Sequence, residues 1–193
     1  MGASFPELRA DHIEMIGRQH LFFVATAPLG GGGHVNLSPK GYDTFTVIDP
    51  RTVAYLDLTG SGAETAAHVN EPDNGRITIM FISFEERPLI LRLYGTGTVV
   101  LPSDERYGPL VEQIGDRPGA RAVILVDVTS VSGSCGYAVP LMDFVGDRPR
   151  LADWADSKTP DDLVAYRALK NATSKDGLPT TLAPSSVRAE ASS

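Results

Sequence analysis

Runs rich in β-branched and aromatic residues recur along this chain at short spacing, at 21–26, 34–40, 44–48, 53–58, 76–82, 89–100 and 120–131. Such residues suit a pleated, half-buried surface, and the Gly, Pro, Asn and Asp clusters between the runs are turn chemistry. Helical patterns are inserted among the strands rather than alternating with them one for one. They fall at 11–18, after the 53–58 run up to about Asn70, at 107–114 and at 160–171, the last begun by Thr159 or Asp161. This order predicts a mainly β, α+β architecture, an antiparallel barrel with three to four peripheral helices, rather than a parallel α/β sheet.

The stretch from Thr52 to Asn70 joins a strand to a helix through Thr59-Gly60-Ser61-Gly62-Ala63-Glu64-Thr65. A small-residue turn at a helix start points unpaired N–H groups outward, where a phosphate or other anion can sit. The plainer alternative is a connection capped by Ser61 or Thr59. A dinucleotide fingerprint does not fit, because the turn ends in Thr65 and an isoleucine, Ile82, stands where an acid belongs. Gly30 to Gly33 is no phosphate loop either, since a strand pattern follows it and not a helix; it reads as a hairpin tip.

Composition narrows the partners. A net charge of -7 and a pI near 5.0 argue against nucleic acid, which needs a basic face. No apolar stretch approaches the length of a membrane span and no signal peptide is legible at the N-terminus. One cysteine, Cys135, excludes an internal disulfide framework and reads as a small buried residue. A cytoplasmic protein is the expectation. The four histidines, His12, His20, His34 and His68, lack metal-ligand spacing, so no metal is expected. The tail 176–193, poor in large apolar residues, is expected to contribute little to a core.

In an antiparallel meander the segment 35–41 and the segment 55–65 can lie side by side. Ser38 then offers a hydroxyl, Lys40 a point charge, and the Gly60 to Gly62 turn a set of N–H donors, which together suit a phosphomonoester. The order of four segments, Asn36-Leu37-Ser38-Pro39-Lys40-Gly41, Tyr55-Leu56-Asp57-Leu58-Thr59-Gly60-Ser61-Gly62, Gly75-Arg76-Ile77-Thr78-Ile79-Met80-Phe81 and Leu91-Arg92-Leu93-Tyr94-Gly95-Thr96-Gly97, resembles the pyridoxamine 5'-phosphate oxidase-like family of FMN-binding split barrels. The resemblance covers most of the chain. Ser134 to Pro140, Asn171 and Asp176 to Pro179 are similar to a sparsely characterised branch of that family.

The resemblance implies a split-barrel domain over 1–175 and a homodimer with FMN at the subunit interface. It implies cofactor contacts from Ser38, Lys40, Thr59, Gly60, Ser61 and Gly62, with Thr65 and His68 following on the helix. The B6 oxidases carry an adjacent basic pair at this turn, where this chain has Gly62-Ala63. Phosphate binding would then rest on backbone N–H groups and Lys40, with Arg76 or Arg92 as further candidates. The family's C-terminal Arg and His substrate motif has no counterpart near Trp154 or beyond, which counts against pyridoxamine phosphate oxidation. Two functions remain: an FMN-dependent oxidoreductase moving a hydride between the flavin and a small-molecule substrate or NADH or NADPH, and a protein that holds flavin for storage or sensing without turnover.

Overall fold

A computed structural model describes residues 2–183. In chain order the elements are β1 (Ala3–Phe5), α1 (Ala10–Ile16), β2 (Phe22–Thr26), β3 (Asn36–Lys40), β4 (Phe45–Asp49), β5 (Thr52–Leu58), α2 (Glu64–Val69), β6 (Arg76–Ile82), β7 (Ile90–Val100), α3 (Tyr107–Ile114), β8 (Ala120–Ser134), α4 (Arg150–Asp156) and α5 (Pro160–Lys170). All strand pairings are antiparallel, in the order β3-β2-β6-β7-β8-β5-β4, with β1 on β8. The eight-stranded sheet curls without closing, so β3 and β4 remain its edges. This is the antiparallel split barrel with peripheral helices.

The long strand β8 organises the sheet. Its first half pairs with β5, through Asp127↔Thr52 to Ala120↔Leu58, and its second half with β1, through Val131↔Phe5 to Gly133↔Ala3. Its other side follows β7 from end to end, with a bulge at Tyr94/Gly95. A Cβ on Gly95 would lie 2.2 Å from the Asp127 carbonyl oxygen, so only glycine lets the two backbones approach there.

Strand β5 is buried on both faces. Val53 and Tyr55 enter the barrel core with Phe22, Val24, Ile79, Phe81 and Ile124, while Ala54 and Leu56 face a second cluster with Val100, Val123 and Leu110 of α3. In the first core Phe22 lies 5.1 Å from Phe45 and 5.4 Å from Tyr55, and Phe45 lies 4.9 Å from Phe81, ring centroid to centroid, mostly edge to face. Each such pair adds about 0.5–1.5 kcal/mol beyond the burial itself. Helix α1 closes one end of this core with Met15 and Ile16.

Several expectations are corrected. Five helices are present among the described residues, because α4 around Trp154 joins the four that the pattern marked. Helix α1 begins after Arg9, and Asp11 sits in its first turn paired to that arginine rather than capping. Neither Ser61 nor Thr59 caps α2; its N-cap is Ala63, whose N–H bonds the Glu64 carboxylate. Cys135 is exposed, not buried. Within the tail, Leu182 packs on Ala63, Ala66 and Ala122, so the segment up to Ala183 does contribute to a core; residues 184–193 lie outside the described residues.

Other readings hold. Thr159 caps α5, accepting the Asp162 N–H at 3.2 Å. The glycine run lies in the connection between the paired strands β2 and β3. The turn at 41–43 is present, but its left-handed backbone falls on Tyr42 (φ 62°) and Asp43 (φ 53°), not on Gly41. These are costly conformations for side-chain-bearing residues. Thr44 Oγ1 donating to the Gly41 carbonyl at 2.8 Å, and Arg117 Nε donating to the Tyr42 carbonyl at 3.3 Å, hold the turn in place.

Candidate functional site: a cleft between β3 and the start of α2

On β3, residues 36, 38 and 40 share one face and Leu37 points the other way. That face meets the end of β5, the turn 59–63 and the first residues of α2 around a cleft of about 320 Å³. This is the low end of the ~300–1,000 Å³ usual for small-molecule pockets. Of the residues expected at a site, Ser38, Lys40, Gly60, Gly62 and Thr65 line it. Three do not. Ser61 is exposed on the turn. Thr59 is buried, its hydroxyl donating to the Gly119 carbonyl at 2.7 Å and accepting from Arg167 Nε at 2.9 Å. His68 is fully buried behind the wall, its Nδ1 2.9 Å from Thr26 Oγ1.

The electrostatic centre is a residue the sequence reading passed over. Asp57 is 4% exposed at the end of β5 and accepts from Lys40 Nζ at 3.2 Å on Oδ1 and from Arg121 Nε at 2.7 Å on Oδ2. Burial alone would raise its pKa, but the two cations outweigh burial and hold the carboxyl below its ordinary value. Arg121 spends three more N–H groups, on the Gly60 carbonyl at 3.2 Å, Asn171 Oδ1 at 2.9 Å and the Gly62 carbonyl at 2.7 Å. Asn171 Nδ2 donates to the Gly60 carbonyl at 2.9 Å, and Arg167 Nη2 to that of Ala120 at 3.1 Å. The end of α5 thus clamps the turn from behind.

The turn's carbonyls therefore face the protein. The N–H groups of Gly60, Ser61 and Gly62 have no partner among the described residues. Arg76 and Arg92 are elsewhere: Arg76 bonds Asn74 and the Pro28 carbonyl, and Arg92 bonds Ser134 Oγ. Arg121 stands where they were expected. Glu64 adds a carboxylate to the same wall, Oε2 accepting from the Ala63 N–H at 3.0 Å. The charged groups of the cleft, Lys40 and Arg121 against Asp57 and Glu64, balance.

An open antiparallel split barrel with a polar cleft between an edge strand and a strand-turn-helix defines the class of this protein. An Aspergillus flavus protein named pyridoxamine 5'-phosphate oxidase family protein ustO is 44% identical over 179 residues, spanning 84% of this chain and 71% of that protein. The chain belongs to the pyridoxamine 5'-phosphate oxidase family. No family model matches it. Among solved structures, HupZ of group A Streptococcus is similar at 26% identity with a TM-score of 0.51, over 63% of this chain and 89% of HupZ. A histidine-to-alanine variant of HupZ gives 25% identity and a TM-score of 0.54, over 65% of this chain and 98% of that one. A Lactobacillus delbrueckii protein provisionally named as a pyridoxamine 5'-phosphate oxidase shares the fold at 17% identity and a TM-score of 0.51, over 66% of this chain and 94% of its own.

Proposed function

We propose that this protein binds FMN in the cleft between β3 and α2 and works as an oxidoreductase on a small-molecule substrate, with NADH or NADPH as partner. The observation that carries the reading is the convergence of Ser38 and Lys40 with the turn Gly60 to Gly62 on one cleft. The donor set fits a flavin phosphate. Among the described residues Lys40 Nζ bonds only Asp57, Ser38 Oγ is uncommitted, and Arg121 retains one of its five N–H groups. Pro39, Leu56, Leu58, Ala63, Ala66 and Leu151 supply an apolar lining for a ring.

When bound, the flavin supplies the hydride-accepting ring. The chain's own residues bind and orient it: Lys40 and the turn N–H groups hold the anionic end, and Asp57 with Arg121 keeps Lys40 aimed into the cleft. The reading includes a homodimer. Support comes from the outward Val35 and Leu37 beside and on the edge strand β3 and from the exposed Tyr137, Leu141, Met142 and Val145. Such a surface is costly to leave in water.

One observation favours the alternative of flavin binding without turnover. None of the four histidines and not Cys135 lines the cleft, so the side chain that most readily exchanges a proton near neutral pH is not at hand there. The discriminating experiment is to load the purified protein with FMN and add NADH or NADPH under nitrogen. An oxidoreductase bleaches the visible flavin band and recovers it in air. A loaded protein that stays yellow supports the storage reading.

A further inference from the structure

The turn after β3 is strained where it meets the cleft. Tyr42, which lines the cleft, has φ 62° and Asp43 has φ 53°, whereas the adjacent Gly41, which would take such a backbone freely, is not left-handed. Strain of this kind persists only where the surroundings enforce it. Three bonds do so here. Thr44 Oγ1 donates to the Gly41 carbonyl at 2.8 Å, Arg117 Nε to the Tyr42 carbonyl at 3.3 Å, and the Tyr42 hydroxyl to the Arg148 carbonyl.

The third bond differs from the other two, because its acceptor belongs to a segment that is itself loosely held. Every residue from 140 to 150 is exposed, and none from 140 to 148 lies in a helix or strand. Two other polar or aromatic contacts fix this segment among the described residues: the Met142 N–H donates to the Phe84 carbonyl at 3.2 Å, and the Phe144 ring stacks on His20 at 3.6 Å. A segment with so little burial opens at small cost. It runs into α4, whose Leu151 lines the cleft. Tyr42 and Leu151 thus bring the cleft to the surface, joined through the Arg148 bond. Behind the turn lies a cavity of about 60 Å³ lined by Gly41, Asp43, Phe22, Phe45 and Phe81, so the turn has space to relax into.

We propose that Tyr42 is a specificity-determining residue: its ring and Leu151 form a gate that sets the size of what enters the cleft, closed by the bond from Tyr42 to Arg148. The gate opens when that bond breaks and the turn relaxes. Released strain offsets part of the lost bond, so the open state is a minor but accessible one. Slender molecules pass the closed rim, and arene-bearing ones enter when it opens. Access is controlled in this way whatever the cleft holds.

Access can be read without a flavin. Ser38→Cys places a thiol on the cleft face of β3, in a Cys135→Ser background that removes the exposed native thiol, and Ser61→Cys on the exposed turn is the reference. Each is labelled with methyl methanethiosulfonate, which is small, and with dithiobis(nitrobenzoate), which carries an arene. Relative to the reference, the cleft thiol is expected to react at least about tenfold more slowly with the arene reagent than with the small one, as for entry through a minor state. Tyr42→Phe removes the latch and keeps the ring, and Thr44→Val frees the other end of the turn. Each should speed the arene reagent about fivefold, the population shift given by one lost hydrogen bond, and leave the small reagent within about twofold. Tyr42→Gly removes the ring and should bring the two reagents level. A thermal melt of each variant confirms folding.

Equal relative rates for the two reagents with Tyr42 in place overturn the proposal, because the cleft is then open to both. An arene rate unmoved by Tyr42→Phe and by Tyr42→Gly does the same. A rate raised by Tyr42→Gly alone overturns the latch at Arg148. None of these results turns on whether FMN binds, so the gate and the flavin reading fail separately.

Discussion

Arg121 Nε donates to Asp57 Oδ2 at 2.7 Å between two side chains each only 4% exposed, and the same guanidinium holds the carbonyls of Gly60 and Gly62. The pair joins the ends of β5 and β8 to the turn that forms one wall of the cleft. A buried ion pair loses much of its Coulomb gain to desolvation, so its main effect is seen when one partner is removed.

Arg121→Met is therefore expected to cost roughly 3–5 kcal/mol of stability in urea denaturation, since it leaves Asp57 buried with Lys40 alone and takes the Arg121 donor from the Gly62 carbonyl and from Asn171 Oδ1. Lys40→Ala is milder. The Asp57 pKa is lowered in the fold, so its contribution is fully present above the ordinary carboxylate range and is lost as pH falls through the folded value. Urea midpoints measured toward acid pH should fall later in wild type than in Arg121→Met, whose remaining cation holds the carboxyl less strongly.

His68 acts in the same direction, at higher pH. Burial lowers its pKa, outweighing the nearby Glu71, Glu64 and Asp176, so the folded state keeps the neutral ring while the unfolded chain protonates near 6.5. Stability is constant above that value and decreases as pH falls from it toward the folded pKa. His12 is shifted in the same direction, chiefly by burial. His68→Gln should remove part of the decline between neutral pH and pH ~5; an unchanged slope would assign all of it to other groups.

Glu64 places a carboxylate on the wall where the phosphate is proposed to sit. A like charge about 4 Å away in a water-like dielectric costs about 1 kcal/mol, so Glu64→Gln should tighten FMN binding at least roughly fivefold. Riboflavin, which has no phosphate, should bind both forms alike. Gly62→Asp acts the other way: a Cβ at Gly62 lies 3.2 Å from Glu64 Oε2, so the new carboxylate joins an existing one and FMN binding weakens.

Two lysines placed in the exposed apolar surface, Leu37→Lys and Leu141→Lys together, should convert a dimer to a monomer. Sedimentation equilibrium reads this directly, against a chain mass of 20.6 kDa. A wild type that sediments as a monomer at micromolar concentration removes the homodimer from the account.

The strands were legible because their signal is local. The β-branched and aromatic runs marked β2 to β8 to within about three residues, and the period-two face of β3 was visible in Asn36, Ser38 and Lys40. Strand β1, with only three residues, carries no such pattern. The site was legible in part. Ser38 and Lys40 on β3, and the turn with Thr65 after β5, meet across the cleft because the sheet curls and brings its two ends together, not because β3 and β5 pair. Thr59 and His68 were read as facing the cavity, but the placement of a side chain in front of or behind a wall depends on packing from distant segments.

Arg121 had a signal that went unused. Asp57 and Arg121 are opposite charges within two otherwise apolar runs, 53–58 and 120–126, and such runs bury charge only in pairs. Their pairing requires β5 to lie against β8, which the sequence does not specify. The clamp from Arg167 and Asn171 is a contact between residues 47 to 111 positions apart, beyond any local pattern.

The central claim is that the cleft between β3 and α2 holds a flavin phosphate through Lys40. FMN titrated into the purified wild type, Lys40→Ala and Arg76→Ala tests it most directly, followed by flavin fluorescence. The account predicts saturable quenching in wild type, unchanged in Arg76→Ala and about tenfold weaker in Lys40→Ala, in keeping with one charge-assisted hydrogen bond. Unquenched FMN in wild type, or equal affinity in Lys40→Ala, would contradict it.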